Sequence, residues 1–394
     1  MAPAFGALYR AALRVALLSA TSARAVHVFS ELASGGGSAE AASPPPGAMC
    51  HRPPSDRAPQ VEEMLPPAWA EVLQPQALLK QGAYNRIYMA KVIKEGLPRV
   101  RRQFVALKVF VAGFGTDDQA ELEAMRQSVD RELEATRALS GPSYATVYKA
   151  QNVTYDHKGV RRPGMLIAME LGDSTLHRVV ARPAVDKLAR RKHFLDRMAI
   201  FVKMLRGLSE MHDKGYYHRD LTTDNVILLC KDTRELSTCE PKLIDFGNSC
   251  YFKAGSSCDT SDCGTREYKA PDGRADDVWA AAVVMREMLV GSLPSSIAKG
   301  TPRYYNIFMD HGLDAFRREF PKWFMLMWRM LVEYRQDRIS MQEASEIANE
   351  LFETTFGAER PNQPPSLASG YAKVLEAIPD VGHVIPVEAA AAAA

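Results

Sequence analysis

His218-Arg219-Asp220-Leu221-Thr222-Thr223-Asp224-Asn225 runs directly into the apolar segment Val226-Ile227-Leu228-Leu229. Asp220 and Asn225 thus sit five residues apart in a loop that leads into a strand-like segment. This spacing suits a carboxylate base beside an oxygen ligand for a hard cation. Further on, Pro241-Lys242-Leu243-Ile244-Asp245-Phe246-Gly247 places a second carboxylate, Asp245, at the end of another short apolar run.

Upstream, Phe104-Val105-Ala106-Leu107-Lys108-Val109-Phe110 reads as a strand whose one charge is a lysine in its middle. An ammonium is costly to bury unpaired, so Lys108 either snorkels from a strand edge or meets an anion. Residues 117–139 are rich in helix formers, open on two acids and stop before Ser140-Gly141-Pro142. Leu122, Met125, Val129 and Leu133 mark the buried stripe of that helix. At roughly 100° per residue Glu132 lies about 20° from Met125 and faces inward. It is the candidate partner of Lys108; otherwise it is a solvated acid at the stripe edge. Residues 78–92 alternate around Gly82 as a hairpin, Met165 to Leu171 reads as a buried strand ending at Gly172, and residues 190–214 as a long amphipathic helix ending at Gly215.

The 394 residues suffice for a two-lobed fold of roughly 250–300 residues with tails. Hydrophobic content of 46% and charged content of 24% are those of a globular chain, and 49 basic against 47 acidic residues leave no net field to recruit nucleic acid. Six cysteines with no Cys-x-x-Cys pair give neither a disulfide scaffold nor a zinc site. No segment approaches the roughly 18 apolar residues of a membrane span.

Taken together and in order, these segments resemble the eukaryotic protein kinases of the serine/threonine type. The loop at Asp220 matches His-Arg-Asp-Leu followed by Asn at the family's spacing, Asp245-Phe246-Gly247 the metal-binding motif, and Phe104–Phe110 the lysine strand. Gly264-Thr265-Arg266-Glu267-Tyr268-Lys269-Ala270-Pro271-Asp272 resembles the end of the activation segment, and Thr265 with Tyr268 points to serine/threonine kinases. Asp277-Val278-Trp279 resembles the start of a large buried helix, and Arg338 the late arginine that pairs with the acid after Ala-Pro.

The resemblance implies an α+β bilobal fold: a five-stranded antiparallel sheet plus a helix in the N-lobe, and a mainly helical C-lobe. It implies ATP and Mg²⁺ as cofactors and a protein substrate, and leaves the oligomeric state open. Asp220 is then the base, Lys108 and Glu132 the phosphate clamp, and Asn225 and Asp245 the metal ligands. Gly82, Ile87, Ala106, Met169, Glu170, Leu171 and Ile227 surround the nucleotide. His218, Phe246, Gly247, Thr265, Asp272, Asp277 and Arg338 support the site, and Arg219 meets an anion of the activation segment such as a phosphorylated residue.

Departures from the family pattern are concentrated near the phosphates. With the middle glycine of G-x-G-x-x-G on Gly82, Lys80 and Asn85 occupy the other two positions. Thr222 stands where serine/threonine kinases place a lysine, which removes a charge near the transferring phosphate. Asp272 replaces glutamate, and Cys230–Glu235 lengthens a surface hairpin. The runner-up reading is therefore a pseudokinase that binds nucleotide or acts as a scaffold. A small-molecule phosphotransferase of the aminoglycoside type shares the base and metal spacing but lacks the Gly-Thr-x-x-Tyr-x-Ala-Pro segment.

The expected domains are 64–355 for the kinase-like part, with lobes 76–171 and 172–353, between a 26–63 linker and a Pro/Ala-rich tail over 356–394. Residues 1–25 read as a secretory signal. Arg10, Arg14 and Arg24 precede any acid, Val15–Ala20 is the apolar region, and Ala23-Arg24-Ala25 is the cleavage site. A mitochondrial transit peptide and an uncleaved cytoplasmic tail are the alternatives. The eroded glycine loop, the signal and the Ala-rich tail are similar to those of secreted rhoptry-type kinases of apicomplexan parasites. In an oxidising compartment one pair among Cys250, Cys258 and Cys263 is expected to form a disulfide, and Ser256, Ser257, Thr260 and Ser261 are candidate phosphorylation sites.

Overall fold

The computed structural model describes residues 61–356, apart from 83–84, 98–101, 112–118, 158–159, 181–186, 234, 253–262 and 292–312. The expectations for residues 1–25, the tail, most of the linker, and Ser256, Ser257, Cys258, Thr260 and Ser261 lie outside the described residues. Two helical turns come first, α1 (Val61–Met64) and α2 (Pro67–Ala70). Val61 and Met64 are already buried in the core, so packing starts slightly before the expected boundary at 64.

Five antiparallel strands follow: β1 (Leu73–Gln81), β2 (Asn85–Val92), β3 (Phe104–Val111), β4 (Val147–His157) and β5 (Val160–Met169), in sheet order β1-β2-β3-β5-β4. Because strand side chains alternate, β3 divides cleanly. Val105, Leu107 and Val109 pack with Trp69, Leu73 and Leu166 on one face, while Ala106 and Phe110 pack with Val129, Met169 and Ile227 on the other. Lys108 shares the second face. Helix α3 (Gln119–Ala138) contributes Val129 and Leu133 to that cluster.

The rest is mainly helical. After β6 (Ser174–Thr175) come α4 (Leu176–Val180) and the long α5 (Lys187–Asp213). The latter ends at Gly215, whose φ of +80° suits a residue without Cβ. Residues 218–225 follow β7 (Tyr216–Tyr217), and β8 (Val226–Cys230) and β9 (Cys239–Leu243) form a hairpin; β10 (Cys250–Tyr251) returns to pair with β7. Helix α6 (Asp277–Val290) is buried almost throughout; of the helices that follow, α7 (Asp314–Glu319) packs on α8 (Pro321–Met330), and α8 and α9 (Met341–Phe356) pack on α6. Trp323 is core, stacked edge-on to Phe194, while Trp328 is only half-buried. The expected α+β fold, with its five-stranded antiparallel sheet and helical second part, is borne out. Among the described residues no helix is long and apolar enough to cross a membrane.

Candidate active site

Strand β3 lies between β2 and β5, so Lys108 has no edge from which to snorkel, and the anion alternative is the one observed. Its Nζ donates to both Glu132 carboxylate oxygens at 2.8 and 2.6 Å and to Asp245 Oδ1 at 2.8 Å, with the lysine 2% exposed. Burial by itself would lower the ammonium pKa; Asp245 and Glu132 together outweigh burial and hold it above the ordinary lysine value. Burial pushes Glu132 up, against the pull of Lys108. Burial would also raise Asp245, but Lys108 brings it below the ordinary aspartate value.

Helix α3 is fixed to the turn after Asp245 by more than this ion pair. Ser128 Oγ and Arg131 Nε both donate to the Gly247 carbonyl, at 3.1 and 3.0 Å. A Cβ on Gly247 would stand 2.7 Å from Ser128 Oγ, so the close approach requires glycine there. Ser128 and Arg131 escaped the sequence reading; Ser128, four residues before Glu132, lies on the same helix face, and Arg131, three residues after Ser128, neighbours it along the helix.

In the loop, Asp220 accepts from the Thr265 N–H at 2.8 Å and hydroxyl at 2.7 Å through Oδ1, and from Asn248 Nδ2 at 3.1 Å through Oδ2. Asn225 Nδ2 donates to the Asp220 carbonyl at 2.8 Å, leaving its Oδ1 as acceptor. His218 is buried: its Nε2 faces the Ile244 carbonyl at 3.0 Å and its Nδ1 accepts from the Asp220 N–H at 3.3 Å. A carbonyl only accepts and an amide only donates, so the proton sits on Nε2 and the ring is a strut. Phe246 packs beside it at 5.4 Å between centroids. Asp277 accepts from the backbone N–H of both His218 and Arg219 at 2.7 Å, and Arg219 holds a φ of +64°. Such a left-handed backbone at a bulky residue is strained and needs this kind of support.

Ile87, Ala106, Met169, Leu171 and Ile227 belong to one apolar cluster, next to Lys108. Glu170 donates its N–H to the Thr146 carbonyl at 2.8 Å, and its carboxylate takes Lys242 at 2.8 Å. Gly172 was read only as a strand end; a Cβ there would stand 2.7 Å from Ile227 Cβ, so the wall and floor of the cluster meet only because this residue is glycine. Gly82 closes the β1–β2 hairpin, its N–H bonding the Asn85 carbonyl at 2.8 Å.

The donors at hand suit Mg²⁺: Asn225 supplies an amide oxygen and Asp245 retains Oδ2, a hard pair of the kind usually completed by phosphate oxygens and water. No larger group of His, Cys, Asp and Glu able to hold a metal occurs among the described residues. With this geometry, the protein kinase domain family matches residues 81–350, more than half of the sequence. The chain belongs to the protein kinase family. Similar relatives include a putative CBL-interacting protein kinase 27 of Oryza sativa subsp. japonica, 25% identical over 55% of this chain and 48% of the relative. CBL-interacting serine/threonine-protein kinase 20 of Arabidopsis thaliana is 26% identical over 73% of this chain and 60% of the relative. Ovarian-specific serine/threonine-protein kinase Lok of Drosophila melanogaster is 28% identical over 44% and 35%. The aligned part spans about half the length of the first of these relatives.

One expectation within the kinase fold needs correction. Arg338 does not pair with Asp272. Its Nη1 meets Asp276 at 2.7 Å, and Asp272 turns to the backbone N–H of Arg274 at 3.0 Å. The shorter aspartate closes a local turn instead of reaching outward, and Asp276, which also caps α6 by accepting from the Trp279 N–H, takes over the arginine. Among the cysteines, Cys230 and Cys239, opposite each other in the β8–β9 register, form a disulfide that the sequence reading missed, and Cys250, one of the three expected to supply a pair, also lies in a disulfide. Glu287 of α6 was missed as well. It is buried and accepts from Tyr268 Oη at 2.6 Å and Thr223 Oγ1 at 3.1 Å, tying the catalytic loop to the end of the activation segment.

Proposed function

We propose that this chain is an ATP- and Mg²⁺-dependent serine/threonine protein kinase. The observation that carries the reading is the joint placement of Lys108, Glu132 and Asp245 within hydrogen-bond distance, beside a loop in which Asp220 is oriented by Thr265. Asp220 receives the proton of the attacking substrate hydroxyl as its oxygen bonds the γ-phosphorus and the bond to the ADP leaving oxygen breaks. Lys108 holds the phosphates, and the Glu170 carbonyl with the apolar cluster receives the adenine. Asn225 and Asp245 would hold Mg²⁺, which supplies neutralisation of phosphate charge. Arg219 is the anion receptor of the activation segment, and a protein hydroxyl is the acceptor. In an in vitro phosphorylation assay, Asp220→Ala should reduce turnover by about 10²–10⁴-fold relative to wild type. Equal signal from the two proteins would sink the catalytic reading.

The pseudokinase reading is supported by a specific observation: Thr222 is 6% exposed, turned inward, where a serine/threonine kinase presents a lysine. Nucleotide binding without Asp220-dependent turnover would favour it. The Cys230–Cys239 disulfide supports an oxidising compartment and hence the secretory alternative for residues 1–25. Mass spectrometry of the mature N-terminus tests this: a chain starting near Val26 supports export, and an intact Met1 removes it.

A further inference from the structure

Thr222 leaves the phosphate site short of a cation, and the roof of the cleft carries one in an unexpected place. Lys80 occupies the first glycine position of the phosphate-covering hairpin. Across the sheet Lys80 is opposite Ile87, and Ile87 is opposite Lys108. Directly opposed residues in antiparallel strands point to the same face, so Lys80 and Lys108 share the cleft face. Two strand spacings put their backbones roughly 10 Å apart, with Ile87, a member of the nucleotide-facing cluster, between them.

The Lys80 ammonium reaches down across the cleft to the catalytic loop, 3.9 Å from Asp224 Oδ2, next to Asn225. Both side chains are 48% exposed, against 2% for Lys108. An exposed pair at that distance contributes little, so Lys80 can leave Asp224 for a stronger anion at small cost.

We infer that Lys80 binds the terminal phosphate of ATP from the roof of the cleft, supplying the positive charge that the catalytic loop lacks at Thr222. The inference rests on the kinase reading for its catalytic consequence but not for its binding consequence. In the apo chain Asp224 parks the lysine at the mouth of the cleft, and a nucleoside triphosphate displaces Asp224 as its partner. A diphosphate, lacking the outermost phosphate, leaves Lys80 where it is.

Calorimetry with Mg²⁺ and either ADP or a non-hydrolysable ATP analogue tests this on wild type, Lys80→Gln, Lys80→Arg and Asp224→Asn. Lys80→Gln should weaken the triphosphate about tenfold, the worth of one charge-assisted hydrogen bond, and leave ADP nearly unchanged. Lys80→Arg should recover the preference, and Asp224→Asn should keep it. In parallel, Lys80→Gln should lower turnover roughly 10²-fold. Equal effects of Lys80→Gln on both nucleotides, or none, overturn the inference and leave Lys80 as a strut to Asp224. If wild type turns over no faster than Asp220→Ala but keeps the Lys80-dependent triphosphate preference, the kinase reading fails while the binding inference stands. A wild type that binds neither nucleotide overturns both.

Discussion

Asp276 and Asp272 are chemically identical and four residues apart, yet only one holds a buried arginine. Asp276 caps α6 and pairs with Arg338, whose side chain is 2% exposed. Asp276→Asn removes the counter-charge of a buried guanidinium and should cost about 3 kcal/mol in urea denaturation. Asp272→Asn should stay within about 0.5 kcal/mol, as for other exposed turn positions. Comparable losses would mean that both acids serve Arg338. That Arg338 needs an acid was legible from the sequence; which acid was not, because the choice depends on how the chain turns between Pro271 and Asp277. Lys108 and Glu132 were easier, since strand alternation and helix phase each fix a direction before any tertiary contact is known. Gly172 was not, because its reason lies in Ile227, distant in sequence. Gly172→Ala must push Ile227 aside and should weaken nucleotide binding, measured by calorimetry, more than it lowers the denaturation midpoint.

The β8–β9 hairpin is the element on which the site depends most directly. Asn225 enters one strand and Asp245 follows the other, while Cys230 and Cys239 join the strands at the far end. Closing a ring of about ten residues stabilises by about 2–3 kcal/mol in the chain-entropy account. A double Cys230→Ser/Cys239→Ser variant should therefore unfold at lower denaturant than oxidised wild type, and reductant should abolish the difference. Persistence of the gap under full reduction would show that side-chain packing, not the bond, was lost. The sequence announced the hairpin through its apolar runs but hid the disulfide, because a cross-strand pair is visible only once the register is known. Helix α3 shows the same asymmetry: its inward face was legible, whereas its attachment through Ser128 and Arg131 to Gly247 needed the position of a turn more than a hundred residues later.

At the scale of the molecule, Asp277 links the buried helix α6 to the catalytic loop and to His212, whose Nε2 lies 2.8 Å away. Burial would raise its pKa, but His212, His218 and the Arg219 amide together bring it below the ordinary aspartate value. The stability it contributes is present above that value and is lost as pH falls through it toward the lower folded pKa. Asp277→Asn should cost roughly 3 kcal/mol at neutral pH, and the gap from wild type should close in acid below pH 4, followed by chemical denaturation at several pH values. A constant gap would assign the loss to packing alone. The fold class was legible as a whole because the loop, the lysine strand and the Asp-Phe-Gly turn occur in order; the cross-links that stiffen it, at Glu287, Asp276 and Cys230–Cys239, were not, since each joins residues whose proximity only folding creates. One of these connections reaches beyond stability. Lys242 on β9 grips the Glu170 carboxylate from outside the apolar cluster and so sets Glu170–Gly172, the hinge between the strand-rich and helical parts, against the strand that leads to Asp245. Selection for resistance to an inhibitor anchored on the hinge backbone should therefore yield substitutions at Lys242, a residue that a search restricted to inhibitor contacts would pass over.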